Sequence, residues 1–294
     1  MADAKTFVVN APAWIDLSTK DPAAARDYYS KLFGWQAEPE KDPEAGGYAI
    51  ARLDGKDVAG IGGQQDPNAP SAWMVYIGTS NADATAKKIE AEGGKVVAPP
   101  FDVMDAGRMA VLSDHEGAVF CVWQANRHRG AGIVNEPGSL NFNGLNARDP
   151  EAAKAFYGLV FGWQTLDLGG GAQFWTLPGY GDYLAQGDPE LRERLAESGG
   201  PAGFEDVVAA LTPLAADQPD VPPNWSVTFA VDDADATAAR ASELGGRVVV
   251  APFDAPWVRM TVLADPQGAT FIASKFVPEN KDLGSEAGST VSAA

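Results

Sequence analysis

The stretch DPAAARDYYSKLFGWQ at residues 21–36 returns as DPEAAKAFYGLVFGWQ at residues 149–164. A second phrase, WMVYIGTSNADATAKKIEAEGGKVVAPPFD from Trp73, returns as WSVTFAVDDADATAARASELGGRVVVAPFD from Trp225. The two phrases alternate, so the 294-residue chain runs in the order A, B, A′, B′. Solenoid repeats recur every ~20–50 residues, and this period is longer, which points to duplicated modules.

Local signals define each module. Asp21 and Asp149 are followed by proline, which joins an N-capping carboxylate to a residue whose fixed φ suits the first helical position. Ala24, Ala25, Tyr28, Tyr29, Leu32 and Phe33 recur at helical spacing as one apolar stripe. Gly34 then offers the left-handed stop. Strand-like runs, PAWIDLST and LNFNGLNA, precede these helices. Each B phrase reads as strand, acidic N-cap, amphipathic helix, Gly-Gly stop and strand. RMAVLSDHEGAVFCVW or RMTVLADPQGATFIAS follows, a hairpin on a D-x-x-G turn. The fold class is therefore α+β, with four βαβββ modules. They divide into a first domain at 9–126, a Gly-, Pro- and charge-rich linker at 127–139, and a second domain at 140–277. Residues 187–214 have no counterpart in the first half and read as two helices around a Gly-rich break, a lid or a surface insertion. Residues 278–294 are polar and small and read as a disordered tail. Whether A pairs with B or with B′ stays open.

Charge and cysteine usage exclude several functions. The formal net charge of −18 disfavours nucleic acid and anionic membrane surfaces as partners, since both repel an acidic protein. Cys121 is the single cysteine, so no disulfide framework exists, and a reducing, cytoplasmic setting is expected. No apolar run reaches spanning length, and the start lacks the basic and apolar segments of a secretion signal. A small-molecule partner, and a monomer or homodimer, fit this composition.

The helix that opens on Asp-Pro and ends on Phe-Gly-Trp, with the D-x-x-G-A hairpin, resembles the vicinal oxygen chelate superfamily over about residues 9–276. That superfamily includes glyoxalase I, bleomycin-resistance proteins and extradiol dioxygenases. The resemblance implies glyoxalase-like domains, each a curved sheet of two modules around a cleft. It extends most closely to tandem two-domain proteins of actinobacteria, some found in antibiotic gene clusters, including those for anthracyclines. In metal-using relatives a His or Gln ligand stands seven residues before the helix-starting Asp. Here that position is Trp14 or Phe142, and in the B modules it reads as Trp73 or Trp225. A Glu ligand stands seven residues after the turn Asp, where this chain has Cys121 or Ile272. One thiolate does not make a metal site. Of the two histidines, His115 lies in the D-x-x-G turn and His128 in the linker, neither on a cleft-facing strand. No metal and no cofactor are expected.

Alternation along strands groups the candidates for ligand contact. Trp14 shares a face with Asp16, Trp73 with Val75, Trp225 with Val227, and Cys121 with Trp123, while Phe142 and Ile272 wall the second cleft. Arg108 and Arg259 hold matching strand positions from which a guanidinium could grip a carboxylate or enolate. The competing reading makes these tryptophans space-filling, these arginines structural ion pairs, and Cys121 a buried thiol. AGIGGQ and LGGGAQ lack phosphate-loop spacing and read as turns or bulges. The favoured function is metal-independent binding of a hydrophobic or aromatic small molecule in a sequestering, resistance or biosynthetic accessory role, with a polyketide antibiotic as one candidate. The alternatives are a cofactor-free enzyme moving a proton with Asp16, Arg108 or Arg259, and a metal-dependent dioxygenase or lyase with unusual ligands. Gly144 stands where the first half has Asp16, and Ser274 where it has Trp123, so the two clefts are expected to differ and the first to bind more tightly.

Overall fold

The computed structural model describes residues 7–168, 173–216 and 219–283. The first module comprises β1 (Pro12–Thr19), α1 (Pro22–Phe33), β2 (Gln36–Pro39), β3 (Ala49–Leu53) and β4 (Lys56–Gly63). The second comprises β5 (Ala72–Gly78), α2 (Ala82–Ala91), β6 (Lys95–Val103), β7 (Gly107–Ser113) and β8 (Val119–Ala125). The strands form one sheet ordered β2-β3-β4-β1-β5-β8-β7-β6, so module A pairs with module B through antiparallel β1 and β5.

The second half repeats this plan with β9 (Leu140–Ala147), α3 (Pro150–Phe161), β10 (Gln164–Asp167) and β11 (Gln173–Thr176). After an excursion through α4 (Tyr180–Ala185) and α5 (Leu191–Glu197), it continues with β12 (Val207–Pro213), β13 (Asn224–Ala230) and α6 (Ala234–Glu243). The closing strands are β14 (Arg247–Ala255), β15 (Val258–Ala264) and β16 (Thr270–Phe276), and the second sheet is ordered β10-β11-β12-β9-β13-β16-β15-β14. Both sheets are curled but not closed. The caps act as the sequence indicates: Asp21 Oδ1 accepts from the Ala23 and Ala24 amides, Asp149 Oδ1 from Ala152, and Gly34 ends α1 at φ 76°.

The repeated phrases turn out to build the contact between the halves. One hydrophobic core runs through both sheets, with residues of β5 and β13 meeting at its centre. Trp73 Nε1 donates to Tyr29 Oη (3.2 Å), which donates across to Asp265 Oδ2 (3.2 Å) in the second half. Trp225 Nε1 donates to Tyr157 Oη (3.0 Å), which donates back to Asp114 Oδ2 (3.0 Å) in the first. The third turn residue follows the same two-fold logic. Gln267 Oε1 accepts from the Asp21 amide (2.6 Å) at the start of α1, and Glu116 Oε1 accepts from the Asp149 amide (3.1 Å) at the start of α3. Burial pushes the Asp114 and Asp265 carboxyls up, against the backbone N–H groups that hold them.

Three readings change. The segment at 187–214 is not a pair of helices: the helical excursion begins at Tyr180, and Val207–Pro213 is strand β12, the counterpart of β4. Its alanines suit a helix, but a slot beside β9 waits to be paired, and the sheet decides. The segment between β8 and β9 also packs on the first half, where Ala131 joins the concave face and its amide bonds the Ala13 carbonyl. Pro278–Asp282 forms a 3₁₀ turn rather than the start of a disordered tail, pinned by Asn280 Nδ2 on Asp254 Oδ1 and the Val258 carbonyl. Residues 284–294 and most of LGGGAQ lie outside the described residues. The AGIGG segment lies within β4 rather than in a turn, and it begins beside a register irregularity of the β3–β4 pairing, where Ala51 faces Ala59 and Arg52 faces Asp57.

Candidate functional site

The register between β1 and β5 decides which side chains face the first cleft. Trp14 lies opposite Tyr76, Ile15 opposite Val75, Asp16 opposite Met74 and Leu17 opposite Trp73. Directly opposed residues of an antiparallel pair share a face. Trp14, Asp16, Met74 and Tyr76 therefore line the concave face, while Ile15, Leu17, Trp73 and Val75 enter the shared core. On β8, Cys121 and Trp123 face the cleft, joined from β7 by Val111 and Met109.

Of the residues expected from sequence, the structure brings together Trp14, Asp16, Cys121 and Trp123. Trp73, Val75, Trp225 and Val227 lie on the opposite face, in the core between the sheets. Counting seven back from the observed N-caps Asn81 and Asp233 gives Met74 and Ser226, one residue further on than the tryptophans. Arg108 and Arg259 also leave the cleft. Their guanidinium groups pair with Asp83 on α2 and Asp235 on α6, and with Asp102 and Asp254 on the neighbouring strands. Phe142 and Ile272 do lie on the second concave face, opposite Thr228 and Val262.

A polar chain runs through the buried cluster on the first concave face. Tyr76 Oη donates to Asp16 Oδ2 at 2.7 Å, and Tyr48 Oη donates to the same oxygen at 3.4 Å. Trp14 Nε1 donates to Tyr48 Oη at 3.3 Å. Burial pushes the Asp16 carboxyl up to about 6, although both tyrosine hydrogen bonds pull the other way. Burial, reinforced by the Asp16 charge, holds both phenols well above their ordinary range, so they stay protonated donors. Cys121 is buried, and its thiol is pushed up as well, so it is no thiolate.

Tyr48, Tyr76 and His128 were not among the expected residues. Tyr48 reaches the site from the loop before β3 and lies against β4. An added Cβ at Gly60 would fall 1.8 Å from Tyr48 Oη, and one at Gly62 would fall 2.8 Å from its ring carbon Cδ2. The linker's His128 sets its ring edge-on to Trp14 with centroids 4.5 Å apart, and Trp123 Nε1 donates to its carbonyl (2.9 Å). Burial lowers its pKa despite Asp57 Oδ2 at 3.8 Å from Nδ1.

The second cleft loses this chemistry. Gly144 replaces Asp16, Thr228 replaces Tyr76 and Ser274 replaces Trp123, and Ala210 stands at the register position of Gly60. Its wall is phenylalanine: Phe142 packs edge-on with Phe174 (5.9 Å), and Phe174 with Phe204 (5.4 Å) of the excursion.

The residues present do not fit a divalent metal. The family's ligand positions hold Trp14, Met74 and Cys121 in one cleft and Phe142, Ser226 and Ile272 in the other. Among the described residues no group of three or more His, Cys, Asp or Glu side chains converges. Asp16 Oδ2 is already taken by two hydroxyls.

Paired βαβββ modules in two curled sheets, each with a lined concave face, define a glyoxalase-like protein. The chain matches the Glyoxalase/Bleomycin resistance protein/Dioxygenase superfamily over residues 11–122 and 139–272, and it belongs to that family. It is 41% identical over 276 residues to CFP32 of Mycobacterium tuberculosis, which carries a provisional glyoxylase name, covering 91% of this chain and 95% of that protein. It is 37% identical over 279 residues to the anthracycline biosynthesis protein DnrV of Streptomyces peucetius, covering 90% and 93%. The Mn(II)-bound glyoxalase from Novosphingobium aromaticivorans matches with a TM-score of 0.58 at 16% identity, over 91% of this chain and 82% of that one. The 2,3-dioxygenase LapB from Pseudomonas sp. KL28 matches with a TM-score of 0.58 at 10% identity, over 92% and 93%. At these identities the structural likeness shows the fold alone.

Proposed function

We propose that this protein binds a flat, hydrophobic small molecule in the first cleft without a metal ion, in a sequestering, resistance or biosynthetic accessory role in the cytoplasm. The observation that carries this reading is the Asp16–Tyr48–Tyr76 group, set beside Trp14, Met74 and Cys121, which stand where metal-using relatives keep their ligands, with Trp123 and Met109 alongside. Aromatic walls supply area and flat faces, and a few placed polar groups supply orientation. The relative named for anthracycline biosynthesis supports an aromatic polyketide as the ligand class.

A second reading is proton transfer by Asp16, favoured by a carboxyl raised to about 6 beside two phenol donors. Conversion of a bound ligand separates it from carriage alone. Titration of chelator-treated protein with planar aromatic compounds tests the first reading.

A further inference from the structure

We propose that the first cleft selects aromatic hydroxyl compounds, and that the bound phenol takes the place now held by the Tyr48 side chain. This rests on the reading of the first cleft as a ligand site. Tyr48 is itself a phenol lying flat on a floor of Gly60 and Gly62, closer than any side chain at either position would allow. Its hydroxyl does two things at once: it donates to Asp16 Oδ2 and accepts from Trp14 Nε1. A group replacing it must do the same. A ketone accepts but cannot donate to the carboxylate, an ammonium donates but cannot accept from the indole, and a carboxylate is repelled by Asp16. A hydroxyl meets both demands, and the glycine floor requires that it sit on a flat ring.

Among the described residues the slot exists in one half. Ala210 fills the Gly60 position of the second sheet, and Gly144 provides no acceptor side chain there. Tyr48 is also placed to leave. It is partly buried, and it follows Gly46 and Gly47, both in the left-handed region at φ 59° and 81°. Rotation of its side chain opens the slot without breaking a strand, since β3 begins only at Ala49.

The test compares 2-naphthol with 2-methoxynaphthalene, which keeps the ring and cannot donate. Wild-type protein is titrated by quenching of tryptophan fluorescence at pH 7.5. 2-Naphthol should bind at least tenfold more tightly, and Asp16→Ala should erase the difference. Tyr48→Ala, which empties the slot, should tighten 2-naphthol binding at least tenfold. Tyr48→Phe keeps the packing and loses the hydroxyl's hold, and should tighten it at least threefold even if the alanine variant does not fold. Equal affinity for the two compounds, or no gain in either Tyr48 variant, overturns the selection of a hydroxyl and leaves the cleft reading standing. Failure of both compounds to bind overturns both.

Discussion

Asp16 is held in the cleft at a cost to folding, and Asp16→Asn should recover it. In the folded chain this carboxyl titrates near 6, against the ordinary 3.8. Between about pH 4 and 6 the folded state therefore holds more protons at this group than the unfolded state, and stability falls as pH rises through that window. At about 1.4 kcal/mol per pH unit, the rise from 3.8 to about 6 amounts to about 3 kcal/mol above pH 6. That figure already contains the two tyrosine hydrogen bonds, which favour the carboxylate. An asparagine cannot ionise, and its Oδ1 still accepts from Tyr76. The variant should be more stable than wild type at pH 7.5 by about 1–3 kcal/mol, near the upper figure if both tyrosine hydrogen bonds survive. The two should converge near pH 4. Urea denaturation followed by tryptophan fluorescence, in steps from pH 4 to 8, gives the difference directly. Parallel pH profiles for the two proteins, or an asparagine variant less stable at pH 7.5, would refute the reasoning.

The remaining expectations separate core from cleft. Trp73→Ala should cost about 3–5 kcal/mol of stability, because Trp73 packs in the shared core and its loss leaves Tyr29 Oη one donor short. An equal urea midpoint for that variant would contradict the placement of Trp73. Cys121 should resist a disulfide exchange reagent at pH 8 in native protein and react at once after denaturation, since burial keeps its thiol protonated. Rapid native labelling would show a cleft more open than described.

Much of this architecture is legible in local signals. The strands β1 and β9, the two Asp-Pro helix starts and the Gly34 and Gly162 stops match the sequence reading, because caps and left-handed glycines act over a few residues. The cleft residues of β5 and β13 are less legible. β5 carries a large aromatic on each face, Trp73 and Tyr76, so alternation defines two faces without saying which one turns inward. The register against β1 decides, and it is set by partners far away in sequence. Tyr48 has no periodic signal at all, since it projects from a loop. The one hint is the alternation Gly60, Ile61, Gly62 within a strand, where missing side chains mark a close approach on one face. The arginines are legible in retrospect: Asp83 with Arg108 recurs as Asp235 with Arg259, a repeated pair that a structural ion pair explains. What the two halves repeat serves mainly their mutual packing, and what they do not repeat, Asp16, Tyr48 and Tyr76, makes the candidate site.

On the proposed reading, the first cleft holds an aromatic ligand without a metal. Calorimetric titration of chelator-treated protein with 2-naphthol, repeated after addition of Mn²⁺ or Zn²⁺, tests it most directly. Binding should be saturable and dominated by one site per chain, with the same affinity in the presence and absence of metal. Binding that appears only when the metal is added would contradict that reading.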